Sequence, residues 1–253
     1  WETSLYIDGK KIDHQNALQV PHRYVLSSLT PGKHLLSLRV DNRMHIDIGS
    51  SAHSVSDHTQ TNWNGVIGGI NMQALPSLAI DNIQIYPDIK GKKADIKIYL
   101  DGQPNNSRLA LNVIFDGKTI LKKEVRVKPN AKNCVEETIE WEDSVKLWSE
   151  FTPNVYSLRA VLSSQDGNSE KEISFGFRDF GVNGTHFAIN GRPTFLRGTL
   201  ECCIFPMTGY PVMDNTYWAK IYSTCKRYGL NHIRFHSWCP PKAAFHVADS
   251  LGM

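Results

Sequence analysis

No apolar run in this chain approaches the ~20 residues that a membrane-spanning helix needs. No block of one charge sign stands out either: 28 Lys and Arg offset 25 Asp and Glu, for a net charge of +3. That balance gives no ground for a nucleic-acid partner or an anionic membrane surface. Cysteine is sparse and odd in number, at five, and no Cys-x-x-Cys occurs. Cys202, Cys203, Cys225 and Cys239 crowd the last quarter, while Cys134 stands apart. A zinc site asks for closer and more regular ligand spacing, so these read as structural thiols, and cysteine leaves the compartment undecided. No secretory leader is recognisable, and the sequence opens at Trp1 without an initiator Met, so a leader is expected to have been removed or to lie outside it.

What is present is ordinary for a globular protein: 253 residues, 41% hydrophobic and 21% charged, enough for two domains or one large one. Residues 1–88 read as strands. Leu5 to Lys10 runs into an Asp8-Gly9 turn, Pro31-Gly32 marks another, and Leu36, Leu38 and Val40 alternate with Ser37 and Arg39 as a half-buried strand. Ile80, Ile83 and Ile85 lead to Tyr86-Pro87-Asp88, where the run stops. Within this stretch Asn62-Trp63-Asn64-Gly65 is the chemically informative piece. An indole can cover the apolar face of a sugar ring while neighbouring amides bond hydroxyls. The alternative is a Trp that caps a core, with Asn in turns. His53 and His58, nearby, read as solvated.

Lys90-Gly91-Lys92-Lys93 reads as a linker. From 89 to 179 short alternating strands recur, among them Leu109, Leu111, Val113 and Phe115 before Asp116-Gly117, and Tyr156, Leu158, Ala160 and Leu162 before Asp166-Gly167. Turn signals at nearly even spacing suggest a sandwich of immunoglobulin type, although no Cys…Trp…Cys core is present. Trp148 and Tyr156 read as packing residues.

After residue 180 the pattern changes. Phe187 and Ile189 precede Asn190-Gly191, a dipeptide suited to a type I′ hairpin turn. Thr194 to Leu200 reads as an apolar strand. Asp214 suits an N-cap, Trp218, Ile221, Tyr222, Cys225 and Tyr228 follow at helical spacing, and Gly229 suits a C-terminal stop. His232 to His236 reads as a strand, Pro240-Pro241 as the start of a helix, and Ala244, Ala248 and Leu251 as its apolar stripe. Strand–helix–strand–helix implies parallel pairing.

Gly176-Phe177-Arg178-Asp179-Phe180, then Phe187-Ala188-Ile189-Asn190-Gly191-Arg192-Pro193, then Phe195-Leu196-Arg197-Gly198 follow in order. This series resembles the passage from the immunoglobulin-like domain into the catalytic barrel of glycoside hydrolase family two, which includes β-galactosidases, β-glucuronidases and β-mannosidases. Leu147-Trp148-Ser149 with Pro153 and Tyr156, and Gly229-Leu230-Asn231 with Ile233-Arg234, resemble further family runs. The resemblance implies a mainly β fold: part of a sugar-binding jelly-roll sandwich over residues 1–88, an immunoglobulin-like β-sandwich over 89–179, and the first two βα units of a (β/α)8 barrel over 180–253. A barrel carries its active site at the C-terminal strand ends, here Glu201 to Pro206 and Arg234 to Trp238. The residues implied to contact substrate are Asn62, Trp63, Glu201, Arg234, His236 and Trp238. Arg234 takes the place of a family arginine beneath the nucleophile, where a buried guanidinium keeps a carboxylate ionised. His236-Ser237-Trp238 departs from the order in β-galactosidases, which counts against a galactoside.

Retaining hydrolysis needs two carboxylates about 5–5.5 Å apart. The family supplies both as glutamates on later strands, one of them following Asn, and no Asn-Glu pair occurs here. The expectation is therefore a fragment of an exo-acting retaining β-glycosidase with no catalytic residue of its own, inactive alone and prone to self-association through an exposed sheet edge. The partner implied is a β-glycoside; the compartment stays open, a periplasmic or extracellular one being slightly favoured for the parent protein. The family's divalent metals are bound mostly by later residues, so the resemblance implies no metal or other cofactor here. The alternative class is a non-catalytic carbohydrate-binding or adhesive β-sandwich, with a plain interaction scaffold a third.

Overall fold

The computed structural model describes residues 1–26, 28–142 and 144–253. They form two compact units: Trp1–Ile70, Gly198–Trp218 and His232–Phe245 make the first, and Asn71–Arg197, Ala219–Asn231 and His246–Met253 the second. The protein is mainly β, with antiparallel sheets and two α-helices among the described residues.

In the first unit β1 (Glu2–Ile7) lies between β2 (Lys10–Asn16) and β3 (Leu36–Asp41), antiparallel to both. Thr3, Leu5 and Ile7 point one way and are buried, as a period of two requires of a one-faced strand. The β1–β2 turn is the one the sequence promised: Asp8 and Gly9 both take left-handed backbone, at φ 50° and 79°. Leu36 is exposed, so β3 buries less of its alternating face than its pattern suggests.

The second unit is built on two facing antiparallel sheets. One has β4 (Ala79–Asp88), β5 (Lys93–Asp101) and β8 (Cys134–Glu140) in the order β4-β5-β8. The other has β6 (Arg108–Phe115), β7 (Lys118–Arg126), β9 (Tyr156–Ser164) and β10 (Gly167–Phe175) in the order β10-β9-β6-β7. Their inward residues form one core: Ile80, Ile83, Ile96 and Ile98 from the first sheet meet Leu109, Leu111, Val113, Leu158 and Leu162 from the second. Trp141, Phe175 and Phe177 close one end around Tyr156, whose hydroxyl accepts the Lys146 N–H at 2.8 Å. Trp148 and Tyr156 are packed as expected, at 5% and 3% exposure.

Two sequence readings change here. Residues 79–88, taken as the close of the first segment, are the first strand of this sandwich, with Ile85 opposite Ile96 and Asp88 opposite Lys93. Residues 90–93, read as a linker, are then the turn of the β4–β5 hairpin and the first residue of β5. Lys92 adopts φ 49° and Asp88 Oδ1 accepts the Gly91 N–H at 2.9 Å. Gly102 in turn must be glycine: its φ is +94°, and a Cβ there would lie 1.9 Å from the Ser77 carbonyl oxygen.

A small sheet follows, β11 (Phe180–Asn183), β12 (His186–Ile189) and β13 (Arg192–Thr194), with Asn190 and Gly191 at φ 53° and 77° in the turn. The strand expected from Thr194 begins later, as β14 (Gly198–Glu201), which pairs in parallel with β15 (His232–Phe235). Between them runs α1 (Asn215–Arg227). Asp214 caps it by accepting the Tyr217 N–H at 2.9 Å. Its end is a left-handed Gly229 with Leu230 N–H bonded to the Cys225 carbonyl at 3.0 Å. Trp218 and Tyr222 are buried on it, whereas Tyr228 is 81% exposed because the helix has already ended. α2 (Lys242–Leu251) buries Ala243, Ala244 and Val247. A closed barrel is not evident; the described residues hold a single parallel strand pair of that kind.

Candidate functional site

The C-terminal ends of β14 and β15 carry the chemistry of the first unit. The parallel ladder runs on beyond β15, with the His236 N–H bonded to the Glu201 carbonyl at 2.9 Å. Both strands then leave the sheet through left-handed non-glycine residues, Cys203 at φ 58° and Ser237 at φ 56°. Such backbone costs about 1–3 kcal/mol and persists where the surroundings hold it.

Trp238 is almost fully buried and is ringed by aromatic edges: Phe235 at 5.5 Å, Phe205 at 5.6 Å and Trp63 at 6.4 Å, all edge-to-face. Trp63 also meets Phe205 at 6.3 Å, and Trp218 meets Phe235 at 6.1 Å. The quadrupoles of aromatic rings favour this edge-to-face arrangement. Asn42 holds the Trp63 segment, donating to the Trp63 carbonyl at 3.2 Å and to Asn64 Oδ1 at 2.7 Å.

Glu201 sits beneath this cluster. Burial pushes its carboxyl above the usual carboxylate range, opposed by the backbone N–H groups of Cys203 and Ile204, by the Trp238 indole N–H and by His53. The indole acts on the carboxylate from nearby, yet neither Glu201 Oε2 nor Trp238 Nε1 completes a hydrogen bond of regular geometry, and both atoms are buried. Burial, then the Glu201 charge, also pushes up the Cys203 thiol and the Tyr217 phenol. A thiol held protonated in this way is not a ready nucleophile.

His53, read as solvated, is instead buried. Its ring stands 4.5 Å from that of His236, with Nδ1 3.0 Å from His236 Nδ1, and its Nε2 lies 3.0 Å from Gln60 Oε1. Gln19 helps to seat this loop by bonding both the Ser54 hydroxyl and, at 2.7 Å, the Cys239 N–H. Trp63, Glu201, His236 and Trp238 are thus brought together. Asn62 is exposed and its amide is engaged by Asp57. Arg234 is exposed as well, because it alternates with the more buried Ile233 and Phe235 on β15; the buried guanidinium expected there is not found in the described residues. Sequence reasoning missed His53 and gave no weight to Phe205 or Tyr217. Adjacency to strand ends was the available signal for Phe205, while nothing local marks His53, whose partner is 183 residues away.

Elsewhere in this unit Glu2, Asp41 and His45 bring ligand atoms within 4.8 Å of one another. Arg43 already forks the Asp41 carboxylate, at 2.6 Å and 2.9 Å, and holds it ionised. The group reads as ion pairing.

Residues 78–178 match the family described as Glycosyl hydrolases family 2. Among curated proteins the chain is similar to a β-galactosidase of Pseudoalteromonas haloplanktis, at 23% identity over 98% of this chain and 24% of that protein. It therefore spans about a quarter of that relative's length. Among solved structures it resembles a β-glucuronidase of Parabacteroides merdae, with TM-score 0.78 and 20% identity over 100% of this chain and 33% of the other. It also resembles a β-galacturonidase of Eisenbergiella tayi bound to galacturonate, with TM-score 0.75 and 18% identity over 99% of this chain and 45% of that one. The ordered motifs from Gly176 to Gly198 continue directly from the matched segment, and the likeness of fold extends over the rest. Over residues 78–178, then, the chain matches glycosyl hydrolase family 2, and over its length it is similar to glycosidases.

Proposed function

We propose that this chain is the sugar-binding and supporting portion of an exo-acting, retaining β-glycosidase. The three-plus-four strand order of the sandwich supports an immunoglobulin-like domain, with β4 as its first strand and its start near residue 78. The sheet β2-β1-β3 supports a jelly-roll portion before it, and the parallel β14–β15 pair joined through α1 supports the opening βα units of a barrel.

The observation that carries the reading is the convergence of Trp63, Glu201, His236 and Trp238 at the C-terminal ends of that pair. Indole faces with a carboxylate and an imidazole beside them suit a pyranose, which offers an apolar face and a rim of hydroxyls. Glu201 and His236 take hydroxyls in this reading, and Trp63 is the ring nearest to solvent. Arg234 and Asn62 are kept as contacts that a bound sugar would have to draw in. The cluster contains one carboxylate, so hydrolysis by this chain alone is not expected.

A panel of nitrophenyl β-glycosides tests this, given to the chain and to the product of its whole open reading frame. Turnover by the longer protein and none by the chain is expected, and the panel names the sugar. Turnover by the chain would overturn the assignment of its residues to binding. The non-catalytic reading expects sugar binding that survives deletion of residues 180–253. Phe205 and Trp238, which hold Trp63, would go with that deletion.

A further inference from the structure

The hydrogen bonds around His53 and His236 fix which ring nitrogens carry protons. A carbonyl oxygen only accepts, so the Ser237 hydroxyl must donate its proton to the Ser51 carbonyl, 3.2 Å away. The Ser237 oxygen is then left to accept, and the atom facing it at 2.7 Å is His236 Nδ1. His236 Nδ1 therefore carries hydrogen. At the other end Gln60 Oε1 accepts from His53 Nε2 at 3.0 Å, which leaves His53 Nδ1 with its lone pair in the neutral ring. Both readings place the single His236 Nδ1–H between two acceptors, Ser237 Oγ at 2.7 Å and His53 Nδ1 at 3.0 Å, which share it as a three-centre bond. The two readings start from different residues and agree.

We infer that His53 is a positioning residue that, with Ser237, holds His236 as the Nδ1–H tautomer, so that His236 offers Nε2 to a ligand as a hydrogen-bond acceptor. The two ring nitrogens of a histidine differ in this way whenever one of them is engaged. Resting on the sugar-contact reading above, the inference deepens it: the group His236 accepts from is a hydroxyl that donates, and an acceptor-only group such as a carboxylate is disfavoured at that position. The polar groups that face the two rings are Ser237 from the segment after β15, Ser51 and Gln60 from the loop, and Glu201 from β14.

Long-range proton–nitrogen NMR of the ¹⁵N-labelled chain, above the pH at which the imidazoles are neutral, reads the tautomers without any ligand. The expected spectrum has His236 protonated at Nδ1 and His53 at Nε2. His236 protonated at Nε2 in the unaltered chain would overturn the inference. His53→Leu should lower the Nδ1–H to Nε2–H ratio of His236 by roughly fivefold, the factor that about 1 kcal/mol for a neutral hydrogen bond represents. Gln60→Ala, at an exposed position, should act in the same direction without threatening the fold. An unchanged ratio in both variants would leave Ser237 as the sole support and refute a role for His53. Titration with methyl β-D-galactopyranoside and methyl β-D-glucopyranoside separates the two levels. A shift of His236 Nε2 supports both. Correct tautomers with no shift at any concentration uphold the positioning by His53 and refute the sugar contact.

Discussion

Replacing Trp238 tests whether the aromatic cluster is a rigid platform. Its ring is 8% exposed and meets Phe235, Phe205 and Trp63 edge-to-face between 5.5 and 6.4 Å. Trp238→Ala removes all three contacts and leaves a cavity, so a loss of about 3–5 kcal/mol is expected. Trp238→Phe is the informative partner. It keeps most of the ring contacts, each worth about 0.5–1.5 kcal/mol. It also deletes an indole N–H that is buried without a regular acceptor, a defect that costs about 1–3 kcal/mol where it occurs. The two effects oppose each other, and Trp238→Phe should fall within about 1 kcal/mol of the unaltered chain. Urea titration followed by near-ultraviolet circular dichroism measures both. The indole N–H also favours the charged form of Glu201, so Trp238→Phe should move the Glu201 titration further upward in carbon-detected NMR of the carboxyl. An alanine variant within 1 kcal/mol of the parent would refute a packed platform. A phenylalanine variant as damaged as alanine would refute the account of the unpaired N–H.

Glu201→Gln should stabilise the chain near neutral pH. The carboxyl is raised above its ordinary value, so between that value and its folded one the native state binds the extra proton, and stability falls as pH rises through the window. Thermal melts at a series of pH values should lose that downward slope in the amide variant. Gly102→Ala should cost more than Gly117→Ala by chemical denaturation. Both glycines have left-handed backbone, worth about 1–2 kcal/mol against alanine, but only Gly102 would drive a Cβ into a carbonyl, while Gly117 has nothing within 4 Å. Glu150→Ala should cost roughly 1.5–3 kcal/mol. The Glu150 carboxylate takes Arg197 at 2.9 Å and the Asn231 amide. A double-mutant cycle with Arg197→Ala should recover part of that loss as coupling.

Local chemistry made much of the fold readable. Asp8-Gly9, Asp116-Gly117 and Asn190-Gly191 all turn with two successive positive φ values. Leu109, Leu111 and Val113 alternate in sequence and are fully buried in the sandwich. Pairing was less legible. Ile80, Ile83 and Ile85 announce a strand, yet a bulge between Ile80 and Asn82 breaks their period, and nothing in them says which sheet they join. That choice is made by Ile96 and Ile98 across the hairpin and by Leu109 and Leu162 in the facing sheet. At the candidate site Trp63, Glu201, His236 and Trp238 could be named because strand ends and aromatic-rich loops are recognisable locally. Arg234 is exposed where burial was implied, since its burial depends on what covers its face of β15, and His53 is buried by residues distant in sequence.

Those two residues point to how the site is held. Its catalytically suggestive groups sit where β14 and β15 stop, and the structure that fixes them is loop. Loops place side chains less tightly than strands unless further bonds restrain them. Here the restraint is polar: Gln19 bridges Ser54 and the Cys239 N–H, Ser237 reaches the Ser51 carbonyl, and His53 meets His236. Each of these bonds joins the loop around residues 51–60 to the segment following β15. Hydrogen bonds have fixed direction and an aromatic cluster does not, so the rings supply the burial and the polar contacts select one arrangement of it. The left-handed Ser237 belongs to this set: its backbone is strained, its hydroxyl bonds the Ser51 carbonyl, and it meets His236 Nδ1 at 2.7 Å.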